Sequence, residues 1–578
     1  MKTSLKNRLI SMSLALVMIL MGLCSCATDE SGGDESSASS GGGVEVMTTT
    51  SSNGDQTPDA EEVNLEENKS LFYFNDPGHI LSCINENNPS RSQIVTKTRL
   101  DAAVTEATDA GFDVFVNEIY GMVPWYPSEV LPVSEHLDWF YNEFGGKDDG
   151  YGFLTYAKNG NDFVQIQLDK THEEGKLYFL SYRMNDLHNL SIGDNPNQAA
   201  IQWISEFWQK NPQYRIGQAQ NQLGAAANML DFQYAEVREY KLNMIYELIE
   251  NYDIDGILLD FMRAPAYFNL NTTTESQRVL IMKDFAAKVK LALDAKSAET
   301  GKEYYFGVVL PLEDNEYVDL GFNIDAFCQA GVDLFIFWDY YFTRQEYDLL
   351  EEVKSEHPEV LAYAMVSQAT SYKVGGDQVY RYTTAEQWYT CAYTAYAHGA
   401  DGISMFNLPF YRNWQYSPGT DVGYEVPFDI VNNLKNTEFL ESAGQHYFHG
   451  IHYNHLNAEF SLSRIVLTNS NKSFNFTFDM TAPKGGWTSE YGILRLEASS
   501  DVSAVDFTVK VNGVTVAATE YKDAYEVKYP DLIGDEKQFK CYEVPIYLLE
   551  NGDNVFNVTK NTSTSSNITF TFIDLTIQ

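Results

Sequence analysis

The segment Tyr252–Arg263 (YDIDGILLDFMR) holds the residue that is best placed to do chemistry. Asp260 directly follows the apolar run Ile257–Leu259. A short apolar run without helical spacing, entered through Gly256 after an amphipathic helical pattern, predicts a strand that is buried on both faces. A carboxylate at the C-terminal end of such a strand is either a reactive group or only a cap for the next segment.

The same arrangement recurs along residues 70–407, where polar side chains end eight predicted strands and carboxylates follow six of them. In strand order these residues are Asn75 and Asp76; Asn117 and Glu118; Arg183, Asn185, Asp186 and His188; Asp260 and Arg263; Glu313 and Asp314; Trp338 and Asp339; Gln368; and Asn407. The C-terminal ends of the strands of a parallel barrel converge on one face. Together the residues favour an active site, although each alone has a structural explanation.

Paired carboxylates are what the hydrolysis of a glycosidic bond requires, one ionised and one protonated. We expect Asp260 to be the nucleophile, because Arg263 nearby would hold it ionised. Asp339 follows the apolar run Phe335–Trp338, which would raise its pKa and suit an acid, and Glu313 competes for that role. The expected substrate contacts are Asn75, Asp76, Glu118, Asp186, His188, Arg263, Trp338 and Asn407. Asp253 and Asp255, at the entrance of the fourth strand, are expected to be structural.

Eight strand patterns alternate with helical patterns and predict an α/β fold, a (β/α)8 TIM barrel over residues 69–440. The predicted strands are Leu71–Asn75, Asp113–Glu118, Leu177–Arg183, the run Ile257–Leu259 within Tyr252–Arg263, Tyr304–Pro311, Leu334–Asp339, Leu361–Val366 and Gly402–Asn407. A doubly wound open sheet is the alternative, but the Gly-rich phosphate-binding turn that often accompanies it is missing.

Residues 445–578 change to short alternating segments separated by turn pairs such as Asn512-Gly513 and Asn551-Gly552. This pattern predicts an all-β, jelly-roll-like sandwich domain. Phe507–Val516 and Val544–Asn554 resemble the jelly-roll modules that are often fused to glycoside hydrolases. Such modules bind sugar or brace the barrel, and bracing is the slightly favoured expectation.

Residues 1–26 have the pattern of a bacterial lipoprotein signal peptide. Lys2, Lys6 and Arg8 precede an apolar run, and Ser25 precedes Cys26 as the lipobox requires. We expect Cys26 to be lipidated, with residues 27–68 as a disordered tether, which predicts an exported protein anchored to the cell membrane or cell surface by its lipid alone. An ordinary cleaved signal peptide is the alternative.

The amino-acid composition restricts the classes of ligand that the protein is expected to bind. A formal charge of −42, from 39 Lys+Arg and 81 Asp+Glu, argues against nucleic acid. The 38 Tyr, 34 Phe and 8 Trp lean weakly towards a carbohydrate ligand, since sugar rings pack on aromatic faces. Neither the ten His nor the scattered Cys show a metal-binding spacing, and no cofactor motif appears. We therefore expect no metal and no cofactor.

The segment 251–265 (NYDIDGILLDFMRAP), preceded by Asp231, resembles the YDVDGIHxDxxRYP segment of the glycosyl-hydrolase-like family 10, barrel proteins related to the α-amylase-type clans. Residues 74–78 and 177–188 resemble the first and third strand ends of that family. The chain departs from the pattern at Leu258, where the family often has His, and at Phe261-Met262. The resemblance implies a carbohydrate-active enzyme with a nucleophilic Asp260 and an acid after strand five or six.

Three functional hypotheses follow from the sequence. The first is a cell-surface glycoside hydrolase acting on an oligo- or polysaccharide, with a carboxylate separation of about 5 Å if it retains configuration and about 6.5–9.5 Å if it inverts. The second is a glycan-binding surface lipoprotein whose barrel has lost catalysis. The third is a barrel enzyme that cleaves an ester or amide bond linked to a glycan.

Overall fold

The structure is a computed structural model. It describes residues 63–78, 95–146, 152–186, 201–217, 224–262, 266–312, 314, 317–338, 347–374, 377–406, 408–412, 425–449, 452–454, 461–463, 465–524, 534–562 and 566–578. The predicted signal peptide with Cys26, and most of the predicted tether, lie outside these residues. Leu65 is buried in the barrel core, so packed structure begins ahead of the predicted boundary at residue 69.

Eight parallel strands close into a barrel and confirm the predicted fold class. They are β1 (Ser70–Asn75), β2 (Val114–Tyr120), β3 (Leu177–Arg183), β4 (Gly256–Asp260), β5 (Tyr305–Pro311), β6 (Leu334–Trp338), β7 (Leu361–Ser367) and, after the antiparallel hairpin of β8 (Ala369–Val374) and β9 (Asp377–Tyr382), β10 (Gly402–Phe406). Each strand pairs with the next, and β10 closes the ring on β1 with Ser70 opposite Gly402. A closed ring excludes the doubly wound sheet.

The helices are α1 (Lys97–Asp109), α2 (Val133–Phe144), α3 (Phe153–Lys158), α4 (Phe163–Glu173), α5 (Glu206–Lys210), α6 (Ala235–Asn251), α7 (Glu275–Thr300), α8 (Tyr317–Leu320), α9 (Ile324–Gln329), α10 (Asp348–Glu356), α11 (Ala385–Ala397) and α12 (Thr437–Ser442). Capping boxes start α7 at Thr274 and α11 at Thr384. In the second box the Thr384 hydroxyl accepts a hydrogen bond from the Gln387 N–H, and the Gln387 side-chain oxygen accepts one from the Thr384 N–H. None of the helices among the described residues is long and apolar enough to span a bilayer.

The inward face of the barrel carries large side chains next to glycines. Phe72, Phe179 and Tyr363 belong to this inner core. A Cβ on Gly256 would lie 2.6 Å from the Phe179 ring, and one on Gly402 would lie 2.0 Å from the carbonyl oxygen of Ser70. Gly256 thus leaves room for a neighbouring ring, in addition to any role in the entry of the chain into β4.

An aspartate precedes every second strand of the barrel and links that strand to its neighbour at the N-terminal end of the barrel. Asp113, Asp255, Asp333 and Asp401 each accept a hydrogen bond through the side chain from a backbone N–H near the start of the preceding strand, at 2.7–3.0 Å. Asp255 also contacts His172 and Lys302, each at 2.8 Å. Burial alone would raise the pKa of Asp255, but these partners hold it below its usual range. These contacts give Asp255 the structural role that the sequence predicted.

The C-terminal part is an antiparallel β-sandwich, as predicted. One sheet joins β11 (Gln445–His449), β14 (Ile465–Leu467), β16 (Tyr491–Ala498), β19 (Ala517–Thr519), β20 (Phe539–Pro545) and β22 (Ile568–Ile577), and the other joins β15 (Ser473–Met480), β17 (Phe507–Val511), β18 (Val514–Thr515) and β21 (Gly552–Lys560). Strands β12 (His452–Asn454) and β13 (Ser461–Ser463) form a separate pair.

The sandwich packs along α11 of the barrel. His446 Nδ1 lies 3.2 Å from the Thr384 hydroxyl, and Tyr393 donates a hydrogen bond to the carbonyl oxygen of Ala482. Arg381, at the end of the β8–β9 hairpin, forms a buried ion pair with Glu497 of the sandwich. The sandwich therefore braces the barrel and the base of this hairpin.

Candidate active site

A buried arginine at the C-terminal end of β3 draws together carboxylates from three strand ends. Arg183 has no exposed surface. Its Nη2 lies 2.8 Å from Asp76 Oδ2 and also contacts Glu118, and its Nη1 lies 3.2 Å from Asp186 Oδ2. The guanidinium carbon stands 4.3 Å from the centre of the Tyr120 ring, and the Tyr120 hydroxyl donates to Asp76. Three carboxylates predicted as substrate contacts thus share one cation.

Asp260 stands beside this cluster. It ends β4 directly opposite Arg183 in the β3–β4 pairing. The two-residue alternation places Asp260 inward, because Leu258 and Met262 both belong to the inner core. The carboxylate is 2% exposed and accepts a hydrogen bond from the Met262 N–H at 2.7 Å.

The phenol of Tyr267 interacts electrostatically with both Asp260 and Asp186. Burial, and after it the charges of these two aspartates, raise the pKa of the Tyr267 phenol well above its ordinary value. Its hydroxyl donates to the carbonyl oxygen of Phe261 at 2.6 Å. The phenol therefore stays protonated and fixes the chain just after β4.

The opposite side of the barrel mouth is aromatic. Trp338 ends β6, and its ring centre lies 4.7 Å from that of Phe406 at the end of β10. The indole N–H donates to the Ser367 hydroxyl at 3.1 Å, which fixes the ring plane. The described C-terminal face thus combines carboxylates from β1 to β4 with an aromatic wall from β6 and β10. Such a pairing suits a ring that has one apolar face and many hydroxyls.

Two further residues support the loops around the cluster. Asn185 donates to the carbonyl oxygens of Leu230 and Ala266, at 2.8 and 2.7 Å, and so joins the loops after β3 and β4. Lys241, fully buried on α6, donates to the carbonyl oxygen of Gly121 at 2.6 Å. Burial lowers the pKa of Lys241 to about 7, although the charge of Asp186 opposes this shift.

Several predicted site residues lie outside the described part of the chain: Glu313, Asp339, His188, Arg263 and Asn407. Their predicted roles stay predictions, as does the choice between Asp339 and Glu313 as acid. Asn75 donates to Asn117 at 3.0 Å, and Asn117 in turn bonds Gln167 of α4. The side chain of Asn75 therefore faces the helical layer and not the cluster around Arg183.

Sequence reasoning did not foresee that Arg183, rather than a residue after β4, would organise the carboxylates. The available signal was its position: an arginine two residues beyond the inward Ser181 at a strand end. Tyr120 and Lys241 were also missed. Both lie in stretches that read as ordinary strand and amphipathic helix.

Comparisons with known proteins give remote structural similarities only. No family model matches the chain, and no curated protein matches it. The chain is similar in structure to an α-amylase from Geobacillus thermoleovorans complexed with acarbose, at 12% identity and TM-score 0.35 over 86% of this chain and 99% of the amylase. It is also similar to an α-galactosidase from Lactobacillus brevis, at 14% identity and TM-score 0.35 over 87% of this chain and 56% of the galactosidase. A third similarity is to chitinase catalytic domain 2 of Ostrinia furnacalis, at 9% identity and TM-score 0.37 over 64% of this chain and 96% of that domain. At these scores, the function has to be argued from the residues of the chain itself.

Proposed function

We propose that the protein is a glycoside hydrolase that cleaves an oligo- or polysaccharide at the C-terminal face of its barrel. The observation that carries the proposal is the cluster of Asp76, Glu118 and Asp186 on the buried Arg183, next to the inward carboxylate of Asp260. Burying three carboxylates around one guanidinium, with a fourth at the neighbouring strand end, is unfavourable for folding alone. Buried ionisable groups gathered at the C-terminal ends of barrel strands are typical of catalytic sites.

In the proposed mechanism the ionised Asp260 attacks or stabilises the oxocarbenium-like centre, and Asp339 or Glu313 protonates the leaving oxygen. Arg183 keeps the site polar and orients Asp76, Glu118 and Asp186. Oxygens of these carboxylates accept hydrogen bonds from sugar hydroxyls. The wall of Trp338 and Phe406 receives the apolar face of the sugar ring.

Mutation of Asp260 tests the proposal. Asp260→Asn keeps the size of the side chain but removes its charge, and we expect it to lower the release of reducing ends on the order of 100 to 10,000-fold. Asp253→Asn is the matched control, because Asp253 lies in the same segment with a side chain that is 70% exposed and bonded to Lys302. The assay is a panel of glycans incubated with wild type and both variants, with unfolding curves to confirm that each variant folds.

The outcomes separate the three hypotheses. Glycan binding without the release of reducing ends by any of the proteins would leave a non-catalytic glycan-binding protein. Release of an acid or amine without new reducing ends would indicate an ester or amide as the bond cleaved. Equal activity of Asp260→Asn and Asp253→Asn would remove Asp260 from the mechanism.

We also propose that the enzyme is exported and anchored by lipidation of Cys26, on the basis of Ser25-Cys26 after the apolar leader. Cys26→Ala should abolish incorporation of a labelled fatty acid and release the protein from the membrane fraction. Incorporation that persists in this variant would refute the assignment of Cys26.

A further inference from the structure

Where the barrel meets the sandwich, three metal-ligating side chains converge. Asp348 begins α10, His398 follows α11 as its C-cap, and Asp479 lies on β15 of the sandwich. One ligand atom from each residue lies within 4.8 Å of the others. The three residues come from separate elements, so only the tertiary structure assembles them.

The contacts of His398 are short but poorly directed for hydrogen bonds. Its Nε2 lies 2.7 Å from Asp479 Oδ2, and its Nδ1 lies 2.7 Å from Glu351 Oε2. Nevertheless, within the described part of the chain neither the buried Nδ1 nor the buried Oδ2 of Asp479 makes a hydrogen bond of acceptable geometry. Asp479 is only 9% exposed. Asp479 Oδ2 thus has an ion-pair contact with His398 but no well-directed hydrogen bond, and its lone pairs remain available to a cation.

Negative charge accumulates at this junction. Asp553 stands opposite Asp479 in the β15–β21 pairing. With Asp348 and Glu351, this brings four carboxylates to the junction that holds His398. A divalent cation would offset this repulsion more completely than a single protonated histidine can.

We propose that Asp348, His398 and Asp479 bind a divalent cation that joins the barrel to the sandwich. One imidazole with two carboxylates suits Zn²⁺ or Mn²⁺, since imidazole is a good ligand for zinc and carboxylate oxygen is accepted by both ions. Glu351, beside Nδ1 of His398, would act as a further ligand or would hold the imidazole from the opposite side. The site is independent of the glycosidase proposal and needs no change in the chemistry of the barrel mouth.

The test is metal binding by the full chain after treatment with a chelator. Titration calorimetry with Zn²⁺, and separately with Mn²⁺, should show one equivalent in wild type that is absent from His398→Gln and Asp479→Asn. The cation should also raise the Tm of wild type, because a ligand that binds only the folded state stabilises it, and it should leave the Tm of both variants unchanged. His357→Gln is the matched control: His357 pairs with Asp325 at 2.9 Å in an exposed cluster, and this variant should keep the equivalent.

Equal metal stoichiometry in wild type and His398→Gln would overturn the proposal. So would a wild-type Tm that is the same in chelator and in excess Zn²⁺ and Mn²⁺, since the cluster would then be an ion-pair contact only. If Asp479→Asn does not fold, the comparison of His398→Gln with His357→Gln still decides between these outcomes.

Discussion

Replacement of Arg183 by methionine tests whether one guanidinium holds the carboxylate cluster together. The side chain has no exposed surface and contacts Asp76, Glu118 and Asp186. Methionine fills a similar volume but leaves three buried carboxylates without their shared cation. Loss of one partner of a buried ion pair costs about 3–5 kcal/mol. We expect Arg183→Met to lower the free energy of unfolding by at least that amount at pH 8.

The pH dependence distinguishes lost charge from lost packing. Burial raises the pKa of a carboxyl group that has lost its counterion. In Arg183→Met the folded state should therefore take up protons as the pH falls, and the deficit should be smaller at pH 5 than at pH 8. Arg183→Lys is the control, since it keeps the charge but not the planar fork, and its deficit should be smaller and less dependent on pH.

Urea unfolding of the three proteins at both pH values, followed by tyrosine and tryptophan fluorescence, measures these differences. A deficit of Arg183→Met below about 1 kcal/mol, within the range of an exposed ion pair, would refute the reasoning. So would a deficit that is equal at pH 5 and pH 8.

Three further predictions concern stability. Burial raises the pKa of Asp333 to about 6, above its unfolded value, so the charge of Asp333 destabilises the fold at neutral pH and this cost falls as the pH drops through 6. In thermal unfolding, Asp333→Asn should be more stable than wild type by about 1–3 kcal/mol at pH 8 and equal to it near pH 4. A variant that is less stable than wild type at pH 8 would contradict this prediction. Gly402→Ala would place a Cβ 2.0 Å from the Ser70 carbonyl oxygen and 2.5 Å from the Tyr363 ring, so it should lower the free energy of unfolding by about 3 kcal/mol. Gly146→Ala is the control: a Cβ there would have no atom within 4 Å, and this variant should change the midpoint of urea unfolding very little. Burial would raise the pKa of Asp574, but Arg495 and His446 lower it well below the unfolded value. The ionised Asp574 therefore stabilises the fold above about pH 4, and this stabilisation is lost below that pH. Asp574→Asn should cost about 3–5 kcal/mol at pH 7, and equal urea midpoints for variant and wild type would disprove the role of the ion pair with Arg495 and His446.

The order of elements and the type of fold could be read from the chain because both depend on local patterns. Ile257–Leu259 and Phe335–Trp338 show apolar runs that only a doubly covered strand can bury. Strand bounds agreed within a residue or two, as for β5, predicted to begin at Tyr304 and observed from Tyr305. The change to alternating segments after residue 445 likewise indicated a sandwich.

The sequence by itself determined which residues lie at the C-terminal ends of the strands, because the apolar runs show where each strand stops. The partners of those side chains depended on the tertiary structure. Arg183 meets Asp76, 107 positions earlier, and no local pattern encodes such a contact. The same is true of Asn75, which turns outward to Asn117, and of Asp479, which meets His398 only because the sandwich packs along α11. Local spacing therefore determined the strands and where they end, whereas barrel closure and domain packing determined which charged side chains contact one another.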